Sequence, residues 1–113
     1  MRIIVVGAGE VGTYVADRLS RQEHDIALIE LDPERFRQID AELDVLVING
    51  SGTDPAALQR AGIDDTDLLV AATNKDEINL FSALLARQAG VNKTIVRVQS
   101  RKLRSKEVAA LFD

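Results

Sequence analysis

Ile3-Ile4-Val5-Val6-Gly7-Ala8-Gly9-Glu10-Val11-Gly12 decides the fold of this chain. A continuous apolar run passes directly into G-x-G-x-x-G, and an amphipathic pattern follows, with Val11, Val15 and Leu19 four residues apart. That order reads as buried strand, glycine turn and helix. The glycines have separate jobs. Gly7 permits the sharp turn, Gly9 lets the main chain approach a pyrophosphate with no Cβ between them, and Gly12 lets the helix pack close to the strand. The N–H groups of the first helical turn then face an anion, and the helix dipole adds partial positive charge. Candidate binding residues at this turn are Gly7, Ala8, Gly9, Glu10, Val11 and Gly12.

A second apolar run, Ile26-Ala27-Leu28-Ile29, ends in Glu30, followed by Leu31 and Asp32. Glu30 lies about 20 residues past the turn, where a carboxylate takes the ribose hydroxyls of a dinucleotide. A carboxylate there repels a 2′-phosphate, so NAD(H) is favoured over NADP(H). The plainer reading is a polar residue ending a strand; its position at the strand's carboxyl end favours the ligand role. Glu10 stands beside the expected phosphates. A carboxylate suits a helix N-terminus but opposes extra terminal phosphates, which weighs against ATP and ADP relative to NAD(H).

A length of 113 residues implies one domain, 1–113, and 46% hydrophobic content suffices for a core. No apolar run approaches the roughly 20 residues of a membrane span. The first strand begins directly after Met1-Arg2, leaving no room for a secretory signal. The chain has no cysteine, which excludes disulfides, thiolate catalysis and cysteine-ligated zinc. A cytoplasmic protein is expected. Net charge of −4 argues against general nucleic-acid binding. The charge is uneven: residues 23–77 hold 14 acids against 4 bases, whereas Lys93, Arg97, Arg101, Lys102, Arg104 and Lys106 fall in a stretch without an acid. That basic end could meet phosphates or an acidic partner surface, or be a solvated helix and loop.

Strand and helix patterns alternate throughout. Strands are expected near 2–6, 25–30, 45–48, 68–71 and 94–98. Helices are expected at 10–22, from Asp32-Pro33 with Phe36, Ile39 and Leu43 inward, from Thr53-Asp54-Pro55 to Gly62, from about Asp76 to Ala89, and over about 102–112. Asp followed by Pro is a good helix start. Strands apolar along their whole length suit a sheet covered on both faces. Right-handed β-α-β connections then give a Rossmann-like doubly wound α/β fold, strand order 3-2-1-4-5, with the ligand across the carboxyl ends of the strands. The exit loops there supply further candidates. Ser51 and Gly52 suit an adenine edge, or form an ordinary turn. Thr73 and Asn74 suit a pyrophosphate or second ribose, or cap the fourth helix. Arg97 reaches a phosphate or pairs with an acid. The fourth helix shows two apolar stripes, Ile78, Phe81 and Leu85, and Leu80, Leu84 and Ala83. One should cover the sheet; the other buries against a second subunit or beneath Val108, Leu111 and Phe112 of the same chain.

The glycine turn, Glu30-Leu31-Asp32, Asn49-Gly50-Ser51-Gly52-Thr53-Asp54-Pro55, Leu58 through Ala61-Gly62, and Ala71-Ala72-Thr73-Asn74-Lys75-Asp76-Glu77-Ile78-Asn79 together resemble the TrkA N-terminal domain, also called the KTN or RCK domain. The last run is the most specific, because generic dehydrogenases do not need it. The resemblance covers nearly the whole chain. It implies a cytoplasmic regulatory domain that binds NAD(H), in some members ATP or ADP. Such domains pair as homodimers, assemble into larger rings, and serve a potassium channel or transporter at the inner face of the membrane without inserting into it. It also implies that Gly7, Gly9 and Gly12 hold the pyrophosphate, Glu30 the adenosine ribose, Ser51 and Gly52 the adenine, and Thr73 and Asn74 the phosphates or second ribose.

Against this regulatory reading stands the cofactor-binding domain of an NAD-dependent oxidoreductase. Hydride transfer needs a substrate pocket and normally an acid–base group. The one histidine, His24, falls before the second strand, at the amino end of the sheet and away from the expected ligand. The regulatory, non-enzymatic reading is therefore preferred, on site chemistry rather than fold.

Overall fold

The computed structural model describes residues 1–112; Asp113, the last residue of the expected domain, lies outside the described residues. At its centre is β1 (Arg2–Val6), in which Ile3, Ile4, Val5 and Val6 are at most 2% exposed. Full burial of such side chains stabilises the fold by roughly 1.5–3 kcal/mol each. β1 pairs in parallel with β2 (Asp25–Glu30) on one side and β4 (Leu68–Ala71) on the other. β2 in turn pairs with β3 (Leu46–Asn49), and β4 with β5 (Lys93–Val96). The order is β3-β2-β1-β4-β5, the Rossmann-like arrangement expected from the continuous apolar strands.

Alternation along the strands divides the core into two layers. Ile3, Val5, Leu28 and Val70 pack beneath α1 (Glu10–Ser20) and α2 (Pro33–Glu42), with Val15, Leu19 and Phe36 against them. Ile4, Val6, Ile29, Leu69 and Ala71 face α3 (Pro55–Arg60) and α4 (Asp76–Gln88), where they meet Leu58, Ala61 and Ala86. Asp32 and Asp54 cap α2 and α3 with their side chains, each followed by proline at the first helical position.

Four expectations need correction. Val11 does not join the buried stripe of α1; it is 42% exposed, because the helix turns its Ala16, Val15 and Leu19 face to the sheet. Neither apolar stripe of α4 covers the sheet as a whole: Ala83 of one is buried and Leu85 of the other packs against the core, while Ile78, Leu80 and Leu84 are half-buried. The buried residues of that helix are Asp76, Asn79, Ser82, Ala83 and Ala86. Small and hydrogen-bonded side chains let it lie close to the sheet, leaving Phe81 49% exposed. β5 stops at Val96, two residues earlier than its pattern suggests, because residues 97–100 are drawn onto α4. The expected last helix is broken into a 3₁₀ turn (Lys102–Arg104), the short α5 (Lys106–Ala109) capped by Ser105, and a second 3₁₀ turn (Ala110–Phe112). Leu103, Val108 and Phe112 line a groove with Leu80, Val96 and Val98, so part of α4 is flanked by this segment. No helix among the described residues is long and apolar enough to cross a membrane.

Candidate functional site

The carboxyl ends of the strands open into a cleft of about 400 Å³. From the glycine turn, Gly7, Gly9 and Glu10 line it. From the β2 exit come Glu30, Leu31 and Asp32, from the β3 exit Ser51 and Gly52, from the β4 exit Thr73 and Asn74, and from the β5 exit Arg97. Eleven of the fourteen expected residues thus share one cavity. Ala8, Val11 and Gly12 do not line it. The Ala8 side chain is in the core, Val11 faces outward, and Gly12 lies under the turn. Arg35, Lys75 and Ile78 line the cleft without having been singled out. Arg35 lies near the start of α2, close behind the acidic exit of β2, and that spacing was its available signal.

Gly7 has φ +101°, the left-handed region that favours glycine, and its N–H donates to the Ile29 carbonyl across the sheet at 2.8 Å. A Cβ on Gly12 would stand 1.7 Å from the Gly7 carbonyl oxygen. A Cβ on Gly9, by contrast, would meet nothing within 4 Å. One glycine is required by the protein's own packing, and the other leaves room beside the main chain.

Glu30 is only 6% exposed, and both of its oxygens are already engaged. Oε1 accepts from the Ala8 N–H at 2.7 Å and Oε2 from the Asp32 N–H at 2.8 Å. A buried carboxylate demands such partners. These two tie the glycine turn to the β2–α2 turn, and each oxygen keeps a further lone pair for a hydroxyl donor. Asn49 fastens the same corner from below, its Nδ2 donating to the carbonyls of Glu30 and Leu31. Ser51 is less free than expected: its Oγ accepts from the Thr53 N–H and shares a 2.7 Å hydrogen bond with the Thr53 hydroxyl.

The far wall is organised by Asn79, to which the sequence assigns no role. Asn79 is fully buried, and its amide is used on both sides. Oδ1 accepts from the Thr73 N–H at 2.9 Å and the Thr73 hydroxyl at 2.6 Å, while Nδ2 donates to the carbonyls of Thr73 and Arg97. The Thr73 hydroxyl also accepts from the Lys75 N–H. Its proton has two acceptors within the protein, Asn79 Oδ1 at 2.6 Å and the Lys75 carbonyl at 3.2 Å, so what it offers a ligand is an acceptor oxygen. It suits a donor such as a ribose hydroxyl. The cap of α4 is Lys75 and carries no side-chain hydrogen bond, so Thr73 and Asn74 are not its caps. Ser82 Oγ donates to the Gly52 carbonyl at 2.7 Å and holds the β3 exit in the same way. The legible signal was polar side chains at Asp76, Asn79 and Ser82, three residues apart on one helix face.

Asp76 accepts from the Gln99 and Ser100 N–H groups at 2.9 and 2.8 Å. These two hydrogen bonds, ahead of the nearby Arg104 and Arg97 charges, hold its carboxyl below the ordinary aspartate value. A depressed folded pKa means that the unfolded chain takes up the proton first on acidification. The stabilisation is complete above the unfolded value, about 3.9, and is lost as pH falls through the lower folded value. Melting temperature followed against pH is expected to fall more steeply below about pH 4 in the native protein than in Asp76→Asn. Parallel profiles would show that Asp76 has no such role.

His24 lies at the amino end of the strands, opposite the cleft, its Nδ1 3.2 Å from the Met1 amine. It lines a separate cavity with Arg2, Asp25 and Asp44. Among the described residues no group of three or more His, Asp or Glu is placed to hold a metal.

Comparison with known proteins agrees with this architecture. Residues 3–109 match the TrkA-N domain. A Trk system potassium uptake protein TrkA homologue of Archaeoglobus fulgidus is 43% identical over 100 residues, 88% of this chain and 22% of that protein. The curated relatives are longer throughout, the chain spanning 19% to 46% of their lengths. The Shewanella denitrificans Kef C-terminal domain in its AMP-bound form superposes with TM-score 0.70 at 25% identity, over 84% of this chain and 57% of that one. The GsuK channel bound to NAD shares the fold, with TM-score 0.65 at 16% identity over 83% of this chain and 21% of that one. With a family match across nearly its whole length and a relative above 40% identity, the chain belongs to the TrkA-N domain family.

Proposed function

We propose that this domain binds NAD(H) in the cleft and, as part of a homodimer or larger ring, regulates potassium movement through a membrane channel or transporter at the cytoplasmic face. The observation that carries the ligand reading is the pairing of Glu30 with the glycine turn. A buried carboxylate, fixed by the Ala8 and Asp32 amides, borders a 400 Å³ cleft with an open approach at Gly9. The pyrophosphate would lie against the amides of the turn, with Arg97 near it. The adenosine ribose would lie at Glu30, the adenine between Leu31 and the Ser51-Gly52 turn, and the second ribose at Thr73 and Asn74. The NAD in GsuK and the AMP in the Kef domain support a ligand with an adenosine half, and the names of the curated relatives support potassium uptake. Regulation requires that the ligand bind two states of the assembly with different affinity. An oxidoreductase would need an acid–base group at the reacting carbon, and His24 is at the amino end of the strands, away from the cleft.

Isothermal titration with NADH, NADPH, AMP and ATP tests the reading. NADH is expected to bind about 10-fold or more tighter than NADPH, the cost of a 2′-phosphate beside Glu30. Glu30→Ala is expected to weaken NADH and to bring the two affinities close together. Loss of discrimination separates a ligand role from simple loosening of the turn. Equal affinity of the native domain for NADH and NADPH would contradict the role given to Glu30.

A further inference from the structure

Arg97 is a cation lining the cleft at its proposed phosphate end, and it stands just beyond the last ladder residue of an edge strand. Its N–H continues the ladder to the Ala71 carbonyl at 2.9 Å, its guanidinium touches the Thr73 carbonyl at 3.5 Å, and its carbonyl is held by Asn79. Beyond it the chain leaves the sheet. What fixes that departure is Asp76, whose carboxylate takes the next amides but one, Gln99 and Ser100, at 2.9 and 2.8 Å. Asp76 is 9% exposed, and among the described residues no cation lies within ion-pair distance of it. A buried charge spent on two main-chain amides constrains a path that regular structure does not. Asp76 itself does not line the cleft.

We propose that Asp76 is a positioning residue for Arg97, clamping residues 97–100 to the first turn of α4 so that the guanidinium is presented to the ligand's phosphates. This rests on the nucleotide reading above. An Asp76 carboxylate acting this way affects affinity only through Arg97, and a double-mutant cycle isolates that dependence. In titrations with NADH, Asp76→Asn and Arg97→Gln are each expected to weaken binding about 5- to 10-fold, and the double variant to be no weaker than Arg97→Gln alone. Gln99→Pro, which deletes one clamped amide while leaving Asp76 in place, is expected to reproduce the Asp76→Asn loss and serves if that variant does not fold. Additive losses in the double variant would overturn the proposal, as would undiminished affinity in Asp76→Asn or Gln99→Pro.

Amide exchange without ligand tests the clamp separately. Asp76→Asn is expected to speed exchange at Arg97 by about 10-fold while leaving the β1 amides protected. Unchanged exchange at Arg97 would overturn the proposal even if NADH binds. Should native protein bind none of NADH, AMP and ATP, the ligand reading fails, and the clamp is decided by this exchange measurement alone.

Discussion

Gly12→Ala is expected to be severely destabilising, by about 3 kcal/mol or more, the upper range for overpacking a dense interior. For a domain of this size that lowers the melting temperature by roughly 10 °C or more, measurable by circular dichroism. The sign is informative. At an ordinary helical position alanine is better than glycine by about 1 kcal/mol, and Gly12 lies inside α1. Here a Cβ would sit 1.7 Å from the Gly7 carbonyl oxygen and 3.6 Å from the Val5 side chain. The first of these neighbours is main chain, fixed between β1 and the turn, and cannot rotate away. Relief requires α1 to lift from β1 or the turn to open, and either loses burial at the centre of the sheet. Gly90→Ala is the control. Gly90 has φ +94° but open space around it, so only backbone strain opposes the change, about 1–2 kcal/mol. A Gly12→Ala protein melting within about 2 °C of native would show that α1 does not depend on this approach.

The parts of the molecule legible in the sequence are those where one local pattern has one consequence. Four apolar residues entering G-x-G-x-x-G can only be a buried strand meeting a helix, and the Asp-Pro starts of α2 and α3 leave little choice of helix origin. From such pieces the strand order followed from right-handed connections together with the doubly wound arrangement that the glycine turn signals. What stayed hidden depends on distance between elements. The sequence shows Phe81, Leu84 and Leu80 as the prominent apolar residues of α4, yet closeness to the sheet selects Ala83, Ala86 and three hydrogen-bonded polar residues, Asp76, Asn79 and Ser82, for the buried face. The three-residue spacing of Asp76, Asn79 and Ser82 marks a polar face, but not what it binds, since the partners of Asn79 lie six and eighteen residues away. The same applies to the cleft. Its glycine and acid residues announce themselves by spacing, while Lys75 is seen to line it only once the start of α4 is placed beside the glycine turn. Glu30 is intermediate: its place is evident, but its bond to the Ala8 amide, which makes it part of the glycine turn, joins residues 22 apart in sequence and depends on how β1 and β2 pair.

Gly9→Val is expected to do the opposite of Gly12→Ala, abolishing ligand binding while the domain stays folded. Gly9 is the residue before α1 and has φ −75°, ψ −164°, an extended conformation that any residue adopts. No atom lies within 4 Å of where its Cβ would be, so valine meets no protein neighbour at its first atom. Loss of glycine at a helix cap costs at most about 1 kcal/mol, so melting should shift by only a few degrees. The same open space is where a pyrophosphate must come to reach the amides that follow, and two methyl groups there keep it at a distance. A phosphate held off by more than about 3.5 Å no longer hydrogen-bonds to N–H donors. NADH affinity is therefore expected to fall at least about 100-fold, close to 2.7 kcal/mol, by the same titration that ranks the nucleotides. Because the Gly9 carbonyl keeps its hydrogen bond from the Thr13 N–H and a Cβ there enters empty space, this loss cannot be ascribed to a disturbed core. Gly9→Val protein that binds NADH as tightly as native would remove the phosphates from the glycine turn, and the proposed placement of every other part of the ligand with them.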